Sequence, residues 1–332
     1  MTLDLLATVD IAVIGAGLAG LSCARHLSNA GAKVAIFDKA RGVGGRLATR
    51  RGSLACFDHG AQYFTARAPE LVLAVADWQA DGVVEQWQGR IRAFDGTHFA
   101  PVPSERRYVG VPGMSSLAQH LLGKLPFFAE HRLLELAWNG HDWRLKFEDG
   151  GRCHARWLVL ALPAPQAAAL LGMEHPLYAQ VASVSMAPCW SVMLRCARPL
   201  PCEFDGCFVN AGLLSWVARD SSKPSRPRSE AWVLHASPVW SRQHVRESPE
   251  AVTVALLSAF ARLANTRIEP PEVNAHRWLY AMADQPLQFG CLGLLDQHLV
   301  LAGDWLNGSR VEGAWLSGLR SAEWLLALSA KA

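Results

Sequence analysis

Asp10-Ile11-Ala12-Val13-Ile14-Gly15-Ala16-Gly17-Leu18-Ala19-Gly20 reads as a short apolar strand running directly into a glycine loop. Leu18 to Ala30 continues as a helix, apolar at Leu18, Leu21, Ala24 and Leu27, with Gly31 placed to stop it. Lys33 to Phe37 is a second strand, and it ends at Asp38. In a β-α-β unit of this kind each glycine has its own task. Gly15 permits the tight turn, Gly17 lets backbone amides reach a pyrophosphate, and Gly20 lets the helix pack on the sheet. The helix N-terminus adds partial positive charge. Asp38 is placed to accept hydrogen bonds from an adenosine ribose. Gly15, Ala16, Gly17, Gly20 and Asp38 therefore predict a dinucleotide site, a pattern that FAD and NAD share.

Working outward, Pro69 to Gly82 reads as a helix and Val83 to Pro103 as short strands turning at Asp95-Gly96. Gly113 to Leu125 reads as a helix. Arg132 to Val159 reads as strands with turns at Asn139-Gly140 and Asp149-Gly150. From Pro165 to about Ala283 the composition shifts toward Trp, Pro and Ser. Within that stretch Ser221-Ser222-Lys223-Pro224-Ser225-Arg226-Pro227-Arg228 reads first as a solvated, mobile basic loop, and otherwise as a phosphate attractor. Ser248 to Ala264 is a helix with Pro249 in its first turn. His298 to Ala302 is a strand, and Glu312 to Leu328 a final helix.

The chain has 332 residues, which suggests about two domains. Charged residues are 18% and hydrophobic residues 51%, with thirteen Trp, so the chain buries enough surface to offset its ordering entropy. Thirty-two basic against 29 acidic residues leaves +3, which gives no reason to expect nucleic acid. Only six of the 32 basic residues are Lys, at 33, 39, 124, 146, 223 and 331. Asp4 and Asp10 precede the first motif without a basic n-region, which argues against a secretory signal. The longest uncharged runs carry Pro and do not resemble membrane spans. Eight Cys form no C-x-x-C pair, so no metal site is expected. Reduced thiols and a cytoplasmic location are the expectation.

Further motifs separate FAD from NAD. Lys39-Ala40-Arg41-Gly42-Val43-Gly44-Gly45-Arg46 follows Asp38, and a Gly-Gly-Arg loop can present a guanidinium to a pyrophosphate. Asp58-His59-Gly60-Ala61-Gln62-Tyr63 and Val111-Pro112-Gly113-Met114 come next. Gly303-Asp304 and Val311-Glu312-Gly313-Ala314 stand near the C-terminus. In this order the motifs resemble the flavin-containing amine oxidase and protoporphyrinogen oxidase superfamily, and within it the bacterial renalases.

That resemblance implies an α/β architecture. A discontinuous Rossmann-type FAD-binding domain would hold residues 1–68, 104–165 and 284–332. An inserted β-rich (α+β) substrate domain would hold residues 69–103 and 166–283. It implies that Asp38, followed by Lys39, holds the adenosine ribose and that Gly45 and Arg46 serve the pyrophosphate or ribityl region. Gln62 and Tyr63 would lie beside the flavin, Asp304 after Gly303 would hold the ribityl chain, and Leu133 would offer a backbone contact to adenine. The helix start at Val311, Glu312, Gly313 and Ala314 would point at the flavin pyrimidine edge, where its dipole favours negative charge.

Amine oxidases of the superfamily place a Lys near the flavin N5. The corresponding strand here, Pro188-Cys189-Trp190-Ser191-Val192-Met193-Leu194, has none. Cys291 does not match the motif of a covalent flavin, so noncovalent FAD is expected, with Cys291 a small buried hydrophobe. Renalase-type enzymes oxidise isomeric dihydro-NAD(P) and pass the electrons to O2, chemistry that needs orientation more than acid–base groups. Two strands offer a substrate side. In Glu230 to Ser237, alternation puts Ala231, Val233 and His235 on one face and Trp232 and Leu234 on the other. In Ala275 to Ala281, His276, Trp278 and Tyr280 share a face. His235, Trp278, Tyr280 and Tyr63 are the pocket candidates, since an aromatic wall can stack a planar ring. An amine oxidase or desaturase and a flavin-binding redox sensor are the alternatives.

Overall fold

The computed structural model describes residues 5–52 and 55–329. Asp4 and Lys331 therefore lie outside the described residues. Two compact units are present: Met1–Gly45 with Ala118–Met186 and Met282–Ala332, and Arg46–Leu117 with Ala187–Ala281.

The first unit is built on the predicted β-α-β element. The strand Leu5–Ile14 runs parallel to Val34–Phe37 on one side and to Arg152–Leu160 on the other, in a register that pairs Val13 with Ile36 and with Val159. Phe127–Phe128 extends the parallel set beyond Val34–Phe37, and Leu299–Leu301 extends it beside Leu158 to Leu160. Leu133–Trp138 and Trp143–Phe147 complete one edge as an antiparallel hairpin. Ile11 to Ile14, Val34 to Phe37 and Leu158 to Leu160 are buried without a break. Continuous apolar runs are what a parallel sheet covered on both faces demands. The helix Leu18–Asn29 leaves the glycine loop, and Gly31, at φ +90°, follows its end as expected. The final helix Val311–Ser329 lies against it, and the Ser22 hydroxyl donates to the Trp315 carbonyl at 2.9 Å.

The second unit holds an antiparallel-rich sheet of seven strands. Their order is Glu272–Ala283, Met186–Cys196, Glu230–Ala236, Leu214–Arg219, Gly206–Val209, Ile91–Phe94, Phe99–Pro101. The alternation predicted for 230–237 is observed. Trp232 and Leu234 enter one core with Val252, Leu256 and Phe260 of the helix Pro249–Leu263, while Ala231 and Val233 enter another with Phe57 and Met193. Residues 252, 256 and 260 are four apart, so they form one stripe of that helix. Ser248 caps it by accepting from the Ala251 amide at 3.2 Å.

Two expectations are corrected. The borders of the compact units differ from the expected domain borders. Residues 46–68 and 104–117 pack in the second unit, and 166–186 pack in the first. The composition change at Pro165 marks what the chain is made of, whereas packing depends on partners far away in sequence. The segment 221–228 is also no freely solvated loop. Lys223 is only 3% exposed and Arg226 9%, because both find carboxylates inside the unit.

Candidate functional site

In the first unit the glycine loop has the geometry its sequence predicts. Gly15 sits at φ +107°, and a Cβ there would lie 2.4 Å from the Ala161 carbonyl oxygen. A Cβ at Gly20 would lie 2.0 Å from the Gly15 oxygen. Both positions admit only glycine, because the obstructing atoms are backbone. Gly17 is different: a Cβ there would meet nothing within 4 Å. The space beside Gly17 is thus open at the N-terminus of a twelve-residue helix that has no side-chain cap and no acid in its first turn. Uncapped amides and an unopposed dipole beside open space fit a phosphate group.

Asp38 is held at the end of its strand. Its carboxylate accepts from the Ala16 amide at 2.7 Å and from the Ala40 amide at 2.8 Å. A carboxylate has about four acceptor positions, so two remain for hydroxyl groups. The Gly44 amide donates to the Ala16 carbonyl at 2.8 Å, which sets the Gly44-Gly45 turn against the first glycine loop. Lys39 is exposed beside Asp38, and Leu133 is buried at the start of its strand. Gly303 donates from its amide to the Ser317 hydroxyl at 2.9 Å, and Asp304 follows it, buried. Val311, Glu312, Gly313 and Ala314 form the first turn of the last helix. Cys291 is a free, half-buried thiol raised by burial. The first unit therefore brings together the predicted loop, Asp38 and the Gly44-Gly45 turn.

In the second unit a short hairpin, Thr49–Arg51 with Cys56–Asp58, organises the chemistry on its two faces. Thr49 pairs with Asp58, and the Thr49 hydroxyl donates to the Asp58 carboxylate at 2.7 Å. The same carboxylate accepts from the Met114 amide at 2.9 Å, Lys223 Nζ at 3.2 Å and Arg226 Nη2 at 2.6 Å. Lys223 also donates to Asp220 and, at 3.3 Å, to Gln62 Oε1. Gln62 donates through Nε2 to the Asp58 carbonyl. Asp58, Asp220, Lys223 and Arg226 all have side chains at 0–1% exposure. Burial would push the Asp58 carboxyl up, but Lys223, Arg226, the Met114 amide and Thr49 outweigh it and hold the group at about 2. Next to this cluster Tyr63 packs on Trp216 and Trp87, with Arg107 5.4 Å from its ring. Arg46, expected at the pyrophosphate, donates to the Ala281 carbonyl at 2.9 Å.

On the other face Arg50 pairs with Phe57, and His59 follows two residues on. The His59 carbonyl accepts from His235 Nε2 at 3.2 Å and from Trp278 Nε1 at 2.9 Å. Because a carbonyl only accepts, His235 carries its proton on Nε2. The rings of His59, His276 and Trp278 lie 4.3 to 5.0 Å apart, centre to centre. Tyr280 stands half-buried two positions along the same row. Three of the predicted pocket residues, His235, Trp278 and Tyr280, thus share this region. Tyr63 stands instead with Trp87 and Trp216.

Burial lowers His59 to about 4, helped by His276, Arg50 and His235. Burial likewise lowers His235 to about 4 and lowers His276, with Arg50 adding to the latter. These imidazoles are neutral at pH 7. The folded chain resists protons that the unfolded chain accepts from about pH 6.5 downward. Their contribution is therefore whole above 6.5 and is lost as pH falls toward 4. For His59 the shift corresponds to roughly 3 kcal/mol. Urea unfolding followed between pH 7 and 4 should show this loss, and His59→Gln should make the fall shallower. An identical slope in both chains would contradict the assignment.

Sequence reasoning missed Asp58, His59, Asp220, Lys223, Arg226, Trp87 and Trp216. The signal available was slight: Asp58-His59 opens a motif already noted, and Lys223 is one of few lysines.

Comparison with known proteins identifies the family. Residues 13–77 match the NAD(P)-binding Rossmann-like domain, and residues 88–326 match the flavin containing amine oxidoreductase family. The second match covers well over half of the chain, which therefore belongs to the flavin-containing amine oxidoreductase family. A protein named as a flavin-containing monoamine oxidase, AofH, of Mycobacterium tuberculosis is 38% identical over 98 residues, 27% of this chain and 22% of that protein. A structure assigned as a protoporphyrinogen oxidase from Exiguobacterium sp. 255-15 superposes with a TM-score of 0.78 at 13% identity, covering 99% of this chain and all of that one. Wild-type putrescine oxidase bound to putrescine gives 0.70 at 13% identity, covering 96% of this chain and 99% of that one. At such identities the likeness concerns the fold. Among the described residues no helix is long and apolar enough to cross a membrane.

Proposed function

We propose that the chain is a renalase-like oxidase with noncovalent FAD, acting in the cytoplasm on isomeric dihydro-NAD(P), the 1,2- or 1,6-dihydronicotinamide forms, and yielding NAD(P)+. FAD would supply the electron acceptor, taking hydride at N5 and passing two electrons to O2 to give H2O2. In the first unit Gly15 to Gly20, Asp38 and the Gly44-Gly45 turn are suited to its adenosine diphosphate part, and Asp304 with the start of the last helix to its ribityl and flavin part. Leu133, in the same unit, is assigned to the adenine. His235, Trp278 and Tyr280 offer neutral rings on which a planar pyridine can stack.

One observation carries the choice of substrate. The strand 188–194 has no Lys, and the structure brings a different one, Lys223, beside Gln62. An ammonium has three donors, and Lys223 commits them to Asp58, Asp220 and Gln62. None is left to hold a water for amine chemistry, whereas oxidation of a dihydropyridine asks the protein mainly for orientation.

Rapid mixing under anaerobic conditions tests the reading. Isomeric dihydro-NAD(P) should bleach the flavin in a single turnover, and admitting air should restore the colour and produce peroxide. Bleaching by a primary amine but not by a dihydronicotinamide would replace the proposal with the amine-oxidase reading. A flavin reduced by neither class would favour a redox sensor.

A further inference from the structure

In the sheet of the first unit, Trp143–Phe147 and the start of Arg152–Leu160 alternate strictly between core and solvent. Trp143, Leu145, Phe147, Cys153 and Ala155 are buried, so Arg144, Lys146, Arg152 and His154 share the outer face. The antiparallel register sets Arg144 directly opposite His154, and Lys146 directly opposite Arg152. Side chains paired in this way have Cβ atoms about 4.5–5.5 Å apart, and like charges so placed weaken a sheet. The four residues form a square of basic side chains. Together with Glu135 they line a cleft of about 350 Å³.

The carboxylates near this square are engaged elsewhere or matched to one corner of it. Glu135 stands opposite Lys146 and binds it at 2.7 Å. Opposite Arg144 on the same edge strand is Ala137, which carries no charge. Asp10 also faces outward, but the pairing of Val9 with Ala155 and of Ile11 with Trp157 sets it beside Arg156, one step beyond the square. Glu148 pairs with Arg132 at 3.4 Å and Asp149 with His131 at 3.1 Å. Among the described residues Arg144 and Arg152 make no ion pair and no side-chain hydrogen bond. Two guanidinium groups on one cleft are therefore left without an acid.

We propose that Arg144, Lys146, Arg152 and His154 form a binding site for the diphosphate group of a soluble small molecule. Arg144 and Arg152 occupy the diagonal of the square, about 7–8 Å apart, a span that long side chains close around one ligand. Each guanidinium fork suits one phosphate in a bidentate contact, so the pair matches two linked phosphates. Lys146 gives one donor to Glu135 and keeps the others, and the His154 imidazole offers an N–H in either protonation state. A bound diphosphate also relieves the like-charge opposition across the two strands. The cleft has the volume of a small-molecule pocket, about 300–1,000 Å³ being usual, which favours a small ligand over a macromolecular partner. The site goes beyond the function proposed above and does not depend on it.

Calorimetry of the flavin-loaded protein with inorganic pyrophosphate tests the site without turnover. The cofactor then fills its own place, so the added pyrophosphate reports on another one. Pyrophosphate should bind, and Arg144→Gln and Arg152→Gln should each weaken it on the order of tenfold. Arg132→Gln is the control. Arg132 stands just before the same hairpin but is already paired with Glu148, so its replacement should leave binding unchanged. All three arginines are exposed, so their replacement leaves the core alone, and circular dichroism checks that the fold is kept. Pyrophosphate should also raise the thermal unfolding midpoint of the parent, and raise that of the chain carrying both Arg144→Gln and Arg152→Gln much less. Pyrophosphate that does not bind overturns the site. Binding that none of the variants weakens, or that all three weaken alike, overturns it as well, since the anion then sits elsewhere or responds only to general surface charge. Single-stranded DNA or a poly-glutamate peptide that binds where pyrophosphate does not would overturn it in favour of a macromolecular contact.

Discussion

Lys223→Met should be among the most destabilising single changes in this chain, costing about 3–5 kcal/mol. The ammonium is fully buried and bonded to Asp58, Asp220 and Gln62. Removing it leaves Asp58 with Arg226, Met114 and Thr49, but leaves Asp220 with far less compensation. Burial already raises the Asp220 carboxyl in the intact protein. The pH dependence follows from the signs. An acid raised on folding costs stability wherever it is ionised in the folded chain, so the penalty in Lys223→Met should shrink as pH falls through the raised folded value of Asp220 and should be gone by about 4, its unfolded range. Asp58 behaves oppositely. Held at about 2, it stabilises the fold above its unfolded range near 3.8, and that contribution is lost as pH falls toward 2. Lys223→Met combined with Asp220→Asn removes both members of the pair and should recover most of the loss, because neutral replacement of a buried pair is often tolerated. Denaturant unfolding of the two single variants and the double one closes the cycle. A Lys223→Met chain within 1 kcal/mol of the parent would mean that the network does not hold the fold as described (~1 kcal/mol being the worth of an ordinary surface pair).

The network was invisible in the sequence for a definite reason. Lys223 and Asp58 are 165 residues apart, and no local pattern links them. Seen locally, Ser221 to Arg228 has the Ser, Pro and Arg composition of a solvated turn. Only the fold supplies the carboxylates that draw Lys223 and Arg226 inside. The opposite holds for Gly15 to Asp38, where every element needed lies within one continuous stretch. There the strand, the turn, the helix and the acid could be read in order, down to Gly31 closing the helix. The faces of Glu230–Ala236 were equally legible, since alternation needs no knowledge of partners. What alternation could not tell was that His235 meets the His59 carbonyl, a contact made 176 residues away. The unit borders were hidden for the same reason. Residues 46–68 follow the glycine motifs directly in sequence, yet pack with strands contributed from beyond residue 187.

The second large effect separates a ligand's needs from the fold's. Gly20→Ala places a Cβ 2.0 Å from the Gly15 oxygen and 3.0 Å from the Ala161 side chain. Neither backbone segment can yield, so this variant should lose both flavin and stability. Gly17→Ala is the informative partner. Gly17 has φ −74° and ψ 177°, values any residue adopts, and its Cβ would meet no atom of the protein within 4 Å. At that helix start the change from Gly to Ala costs the bare chain no more than about 1 kcal/mol. If the open space holds a pyrophosphate in contact with the loop amides, the added methyl displaces it. Flavin affinity should then fall on the order of a hundredfold, the scale of about 3 kcal/mol. The measurements are flavin retained per chain after gel filtration, a dissociation constant from flavin titration, and thermal unfolding of the flavin-free chains. Gly17→Ala should match the parent in unfolding and fail in retention, whereas Gly20→Ala should fail in both. A Gly17→Ala chain that stays as yellow as the parent would show that the phosphates bind elsewhere, and the assignment of this loop would have to be abandoned.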